Sequence, residues 1–96
     1  MEKIEKTEIK KLASEVTEFV LEYSIFNISC EKKELEEKIE EQFEDVVFVE
    51  GLINTIIVKT RNRKNIDTGK LIDLLIELEK LRLELEYDVN RRWQKC

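Results

Sequence analysis

The sequence predicts an α+β domain of the order ααββα, with two N-terminal helices, a β-hairpin and one long C-terminal helix. Two observations carry the helices: apolar residues recur at steps of three and four over 4–23 and 67–93. A third carries the hairpin. Between 46 and 60 the chain turns β-branched and aromatic and loses that period, which is the texture of strands.

From Ile4 to Tyr23, the residues Ile9, Leu12, Ala13, Val16, Phe19, Val20 and Tyr23 line one face and Lys10, Lys11, Glu15, Glu18 and Glu22 the other, as in an amphipathic helix. Glu2, Glu5 and Glu8 suit the positive end of its dipole. Ser24 to Ser29 reads as a loop. Ser29 is placed to cap a second helix that runs to about Phe43, with the narrow apolar stripe Leu35, Ile39 and Phe43 and a face otherwise filled by Glu and Lys.

Val46–Val49 and Ile53–Val58 then read as strands near 46–50 and 53–60 that turn at Glu50-Gly51. Such a hairpin is apolar on both faces at its centre and is marginal in water alone, so a second copy of the chain is expected to cover one face. Thr60 to Asn65 is a basic polar loop. Asp67 can cap the last helix, and Ile66 can pack on Leu71 as a hydrophobic staple.

In that last helix Leu71, Leu74, Leu78, Leu81 and Leu85 take the spacing of a heptad seam, and the seam is the expected dimer interface. Its length supports this. At about 1.5 Å per residue the helix reaches roughly 40 Å, more than the ~30–35 Å diameter of a compact domain of this size.

Ninety-six residues make one domain with little core to spare. Charged residues are 41% and hydrophobic ones 42%, with no proline, which fits an ordered helical composition. The first twelve residues hold seven charges, so neither a secretion signal nor a membrane span is expected, and the protein is expected to be soluble and cytoplasmic. Net charge is −5 and unevenly spread. Residues 1–50 hold seven Lys/Arg against fifteen Asp/Glu, and residues 51–96 ten against seven, so the halves have opposite sign.

The chemistry on offer is thin. The chain has no histidine, which removes the commonest base and metal ligand, and none of its three serines sits in a Gly-x-Ser-x-Gly turn. Thr68-Gly69-Lys70 shares three letters with a phosphate-binding loop, but its remaining glycine and hydroxyl positions are missing. The carboxylates Glu36, Glu37, Glu40, Glu41, Glu44 and Asp45 have no glycine-bearing calcium loop beside them and read as a solvated face. Cys30 and Cys96 have no metal-ligand spacing, and Asn27-Ile28-Ser29 matches a glycosylation triplet only by chance in a cytoplasmic chain. No enzyme activity, cofactor or metal is expected.

Lys59, Arg61, Arg63, Lys64 and Lys70 against Asp67 give +4 over residues 59–70, and Arg91, Arg92 and Lys95 flank Trp93. These suggest the alternative, a nucleic-acid-binding regulator with Arg61, Arg63 and Lys64 as phosphate contacts. An acidic chain whose second helix is strongly acidic argues against it. The sequence therefore predicts a non-enzymatic interaction or regulatory protein that acts as a homodimer, with its acidic helix open to a basic protein partner.

Overall fold

A computed structural model describes residues 6–27 and 29–94, with the side chains of Lys6 and of 88–94 not described. Among the described residues four helices follow one another: α1 (Lys6–Glu22), α2 (Lys32–Gln42), α3 (Val46–Thr60) and α4 (Thr68–Gln94). The described residues contain no strand. The expected α+β class, its ααββα order and its β-hairpin are therefore corrected to an all-helical fold.

The correction lies wholly in 46–60, and its physical cause is local. Asp45 adopts an extended conformation and its Oδ1 accepts a hydrogen bond from the Val47 N–H at 2.9 Å, which caps a helix at its start. Gly51 has no positive φ, so it supplies no hairpin turn. Val49, Leu52, Ile56 and Thr60 are buried at steps of three and four. β-branching costs a few tenths of a kcal/mol per residue in a helix, whereas each buried Val, Leu or Ile contributes about 1.5–3 kcal/mol, so burial decides. A helix also satisfies its own backbone, whereas the hairpin needed a covering neighbour.

The other elements follow their periodicity closely. α1 buries Leu12, Ala13, Val16, Phe19 and Val20. It ends in a left-handed residue, Ser24 at φ 50°, with the Ile25 N–H donating to the Val20 carbonyl at 3.0 Å and the Ser24 N–H to the Leu21 carbonyl at 3.4 Å. That is a Schellman cap, and the buried Ile25 is its apolar closure. α2 begins at Lys32 and not at Ser29; its N-cap is Glu31, which makes no side-chain cap bond. α4 starts as expected, with Asp67 Oδ1 accepting from the Lys70 N–H at 3.2 Å and Ile66 and Leu71 half-buried against the core.

α1 packs against both α2 and α4, and α4 packs against α3. The core draws from every helix: Ile39 and Phe43 join the α1 residues, Val49, Leu52 and Ile56 come from α3, and Leu74, Leu78 and Leu81 from α4. Two threonines sit inside it with their hydroxyls satisfied, Thr17 donating to the Ala13 carbonyl at 2.7 Å and Thr60 to the Ile56 carbonyl at 2.6 Å. The body measures 47 × 27 × 20 Å, its long axis comparable to the roughly 40 Å length of α4. No helix among the described residues is long and apolar enough to cross a membrane.

Candidate interaction surfaces

The expected seam is occupied from within the chain. Leu74, Leu78 and Leu81 are buried and Leu71 and Leu85 are half-buried against the same core, so these side chains join α4 to the rest of the body. What α4 leaves uncovered is the opposite side. Ile72, Ile76, Leu83 and Tyr87 are all exposed, and at about 100° per residue they fall within roughly 60° of the helix circumference. Ile76 and Leu83 keep 47% and 45% of their surface in water, which is a large share for branched apolar side chains.

Those two residues also line a groove between α1 and α4 with a volume of about 1020 Å³. Leu12, Phe19 and Leu74 complete its apolar floor, and its walls carry Glu8, Glu15 and Glu18 from α1 and Asp73, Glu77 and Glu84 from α4. Against these six carboxylates stand Lys11, Lys70 and Lys80, so the lining carries a net −3. Much of the basic charge is already engaged. Lys80 lies 3.4 Å from Glu77, and Lys70 lies 3.9 Å from Glu22 outside the groove. Among the described residues Glu8, Glu15, Asp73 and Glu84 have no basic group within ion-pair distance. No group of three or more acidic or cysteine side chains among the described residues is arranged to hold a metal ion.

A second surface is the outer side of α3. Val47, Gly51, Asn54 and Val58 are exposed and recur at steps of four, three and four, opposite the buried Val49, Leu52, Ile56 and Thr60. Val47 is 70% and Val58 54% exposed, and Ile57 extends the patch. A Cβ added at Gly51 would meet nothing within 4 Å. In a chain that is 41% charged, this row carries no charge; Glu50, the one charged residue from 46 to 58, sits at its edge 4.0 Å from Arg82 of α4. Arg82 also engages Glu79 and Glu86, the latter at 2.8 Å. The hydrogen bond from Arg82 holds the Glu79 carboxyl below the usual carboxylate range, and the same pairing raises Arg82.

The basic loop is exposed throughout 61–65 and is tethered at two points. Arg63 donates through Nη1 to the Tyr23 carbonyl, and the Asp67 N–H donates to the Tyr23 hydroxyl at 3.3 Å, so the loop is fastened to the end of α1. Arg61 and Lys64 are exposed. The side chains of Arg91, Arg92 and Trp93, together with Lys95, Cys96 and the Ile28 of the glycosylation triplet, lie outside the described residues, as do Glu2, Ile4 and Glu5. Cys30 is half-buried and free.

The seam, the basic loop and the acidic second helix are features of the sequence in order. The groove is not, because its carboxylates come from two helices and those of α1 lie at least 55 residues before those of α4. Ile72, Ile76, Leu83 and Tyr87 are legible in the sequence as apolar residues added to the seam, but spacing alone does not say that they stay uncovered. No family model matches the chain, and no curated protein or solved structure matches it.

Proposed function

We propose that the chain is a small, acidic, non-enzymatic interaction protein of the cytoplasm that acts as a homodimer, two copies pairing through the outer face of α3. The observation that supports this is the uncharged row Val47, Gly51, Asn54 and Val58. A face that meets its own copy meets every one of its charges again, so a charge-free face pairs with itself without like-charge repulsion.

The row is also symmetric. Positions 47 and 58, and 51 and 54, are equidistant from the point between Leu52 and Ile53. An antiparallel copy therefore sets Val47 opposite the partner subunit's Val58 and Gly51 opposite the partner subunit's Asn54. Gly51 allows close helix approach, and Asn54 is the one polar side chain of the row that can fix the register. The contact is about 17 Å long, from eleven residue steps of 1.5 Å, and sits at the small end of specific interfaces. Dissociation on dilution through the micromolar range follows.

The absence of histidine and of a nucleophile paired with a base in the sequence supports the non-enzymatic part. Sedimentation velocity over a concentration series tests the dimer. The mass should rise from 11.5 kDa toward twice that value in the wild type, and Val58→Lys should stay monomeric with an unchanged helical spectrum. A wild type that remains monomeric at hundreds of micromolar, or a Val58→Lys variant that still associates, refutes it. A salt-sensitive nucleic-acid shift abolished by Arg61→Ala with Lys64→Ala would point to the basic loop instead.

A further inference from the structure

We infer that the groove between α1 and α4 is a docking site for a basic amphipathic helix of another protein. At about 1020 Å³ it is as large as the largest small-molecule pockets, and it lies open along two helices instead of closing into a cavity. Its form is that of a helix-in-groove site: an apolar floor with polar walls.

Charge selects the occupant. Glu8, Glu15, Asp73 and Glu84 line the walls with no basic group within 4 Å among the described residues, and the lining as a whole carries −3. A second copy of this chain would bring its own acidic α4 wall to the same place, whereas a helix edged by Lys or Arg meets opposite charge on both sides. Ile76 and Leu83, seven residues and about 10 Å apart, offer the occupant anchors two helical turns apart. Ile72 and Tyr87, exposed beyond the groove's lining, lie four residues further along at either end. The fitting partner thus presents apolar residues at i, i+4 and i+7 and Lys or Arg on both flanks. The groove contains no residue of α3, so the site is separate from the proposed dimer contact.

The test uses a fluorescent fifteen-residue peptide of Leu and Lys with Leu at helical a and d positions, and its Glu-for-Lys counterpart, titrated with the full chain. The Lys peptide should bind with an affinity that falls as salt rises, and the Glu peptide should not bind. Glu15→Lys with Glu84→Lys should weaken the Lys peptide by about tenfold or more, since two charge reversals each exchange an attraction for a repulsion. Glu37→Lys with Glu41→Lys on exposed α2 changes net charge equally and should leave affinity within about twofold. Leu83→Asp should also weaken binding, and Val58→Lys should not. Equal losses from the groove and α2 pairs, unaltered binding in Leu83→Asp, or equal binding of both peptides overturns the inference. So does a change in the mass of the chain, and not in peptide affinity, on Leu83→Asp.

Discussion

Replacing Gly51 by Ala is expected to stabilise the protein, and the size of the gain follows from its surroundings. Gly51 is the sixth residue of α3 and has no positive φ. Glycine there costs about 0.8–1.0 kcal/mol against alanine, through the backbone freedom lost on folding. The added methyl meets no atom within 4 Å, so no clash offsets the gain. For a domain of this size about 1 kcal/mol moves the midpoint of thermal unfolding by roughly 4–8 °C. The measurement is thermal unfolding by circular dichroism at low micromolar protein, chosen so that the proposed dimer does not contribute. A rise of that size supports a helical α3 with an open outer face in the single chain. Were 46–60 a hairpin turning at Gly51, alanine at a positive φ would lower the midpoint, so a fall would refute the helical account of this segment. At high concentration the methyl intrudes on the proposed contact, and the same substitution should weaken association.

Further expectations concern the cap, the core and one ion-pair cluster. Ser24→Gly should raise stability by about 1 kcal/mol, because Ser24 holds a left-handed conformation that costs a non-glycine residue energy; denaturant titration showing no gain would remove the cap. Leu78→Ala should cost about 2–5 kcal/mol, because Leu78 is wholly buried and serves the interior of one chain. A variant of unchanged stability but halved mass would return the seam to the dimer. Glu79 has its carboxyl pKa lowered on folding by Arg82, so its contribution is present above the unfolded value of about 4.3 and is lost as pH falls through the lower folded value. A carboxyl titration by nuclear magnetic resonance should place Glu79 below an ordinary glutamate and return it toward the ordinary range in Arg82→Gln; coincident curves would contradict the pairing.

Much of this fold is visible in the sequence, and the part that is not has a physical reason. α1 and α4 each set apolar residues at helical spacing, and Asp67 signs the start of α4 without ambiguity. α3 conceals its period because its outer face is apolar too: Val47, Ile57 and Val58 fill positions where Lys or Glu would have revealed the buried row Val49, Leu52, Ile56 and Thr60. The feature that hides the helix is the one that sets its outer face apart. The signals for it are Asp45 as a cap and the weakness of Glu50-Gly51 as a turn pair beside Asn-Gly or Asp-Gly. Leu74, Leu78 and Leu81 were legible as an apolar row, but spacing alone does not say whether such a row faces its own chain or a neighbour. The groove was illegible because it forms only when α1 and α4 are side by side.

The pairing of α3 with a second α3 is most directly tested by a cysteine at Asn54, in a chain with Cys30 and Cys96 changed to serine. Under mild oxidation Asn54→Cys should form a covalent dimer at tens of micromolar, while a cysteine at exposed Glu37 on α2 should leave the chain monomeric. Equal cross-linking at the two positions, or none at Asn54, would contradict an antiparallel α3 contact centred between Leu52 and Ile53.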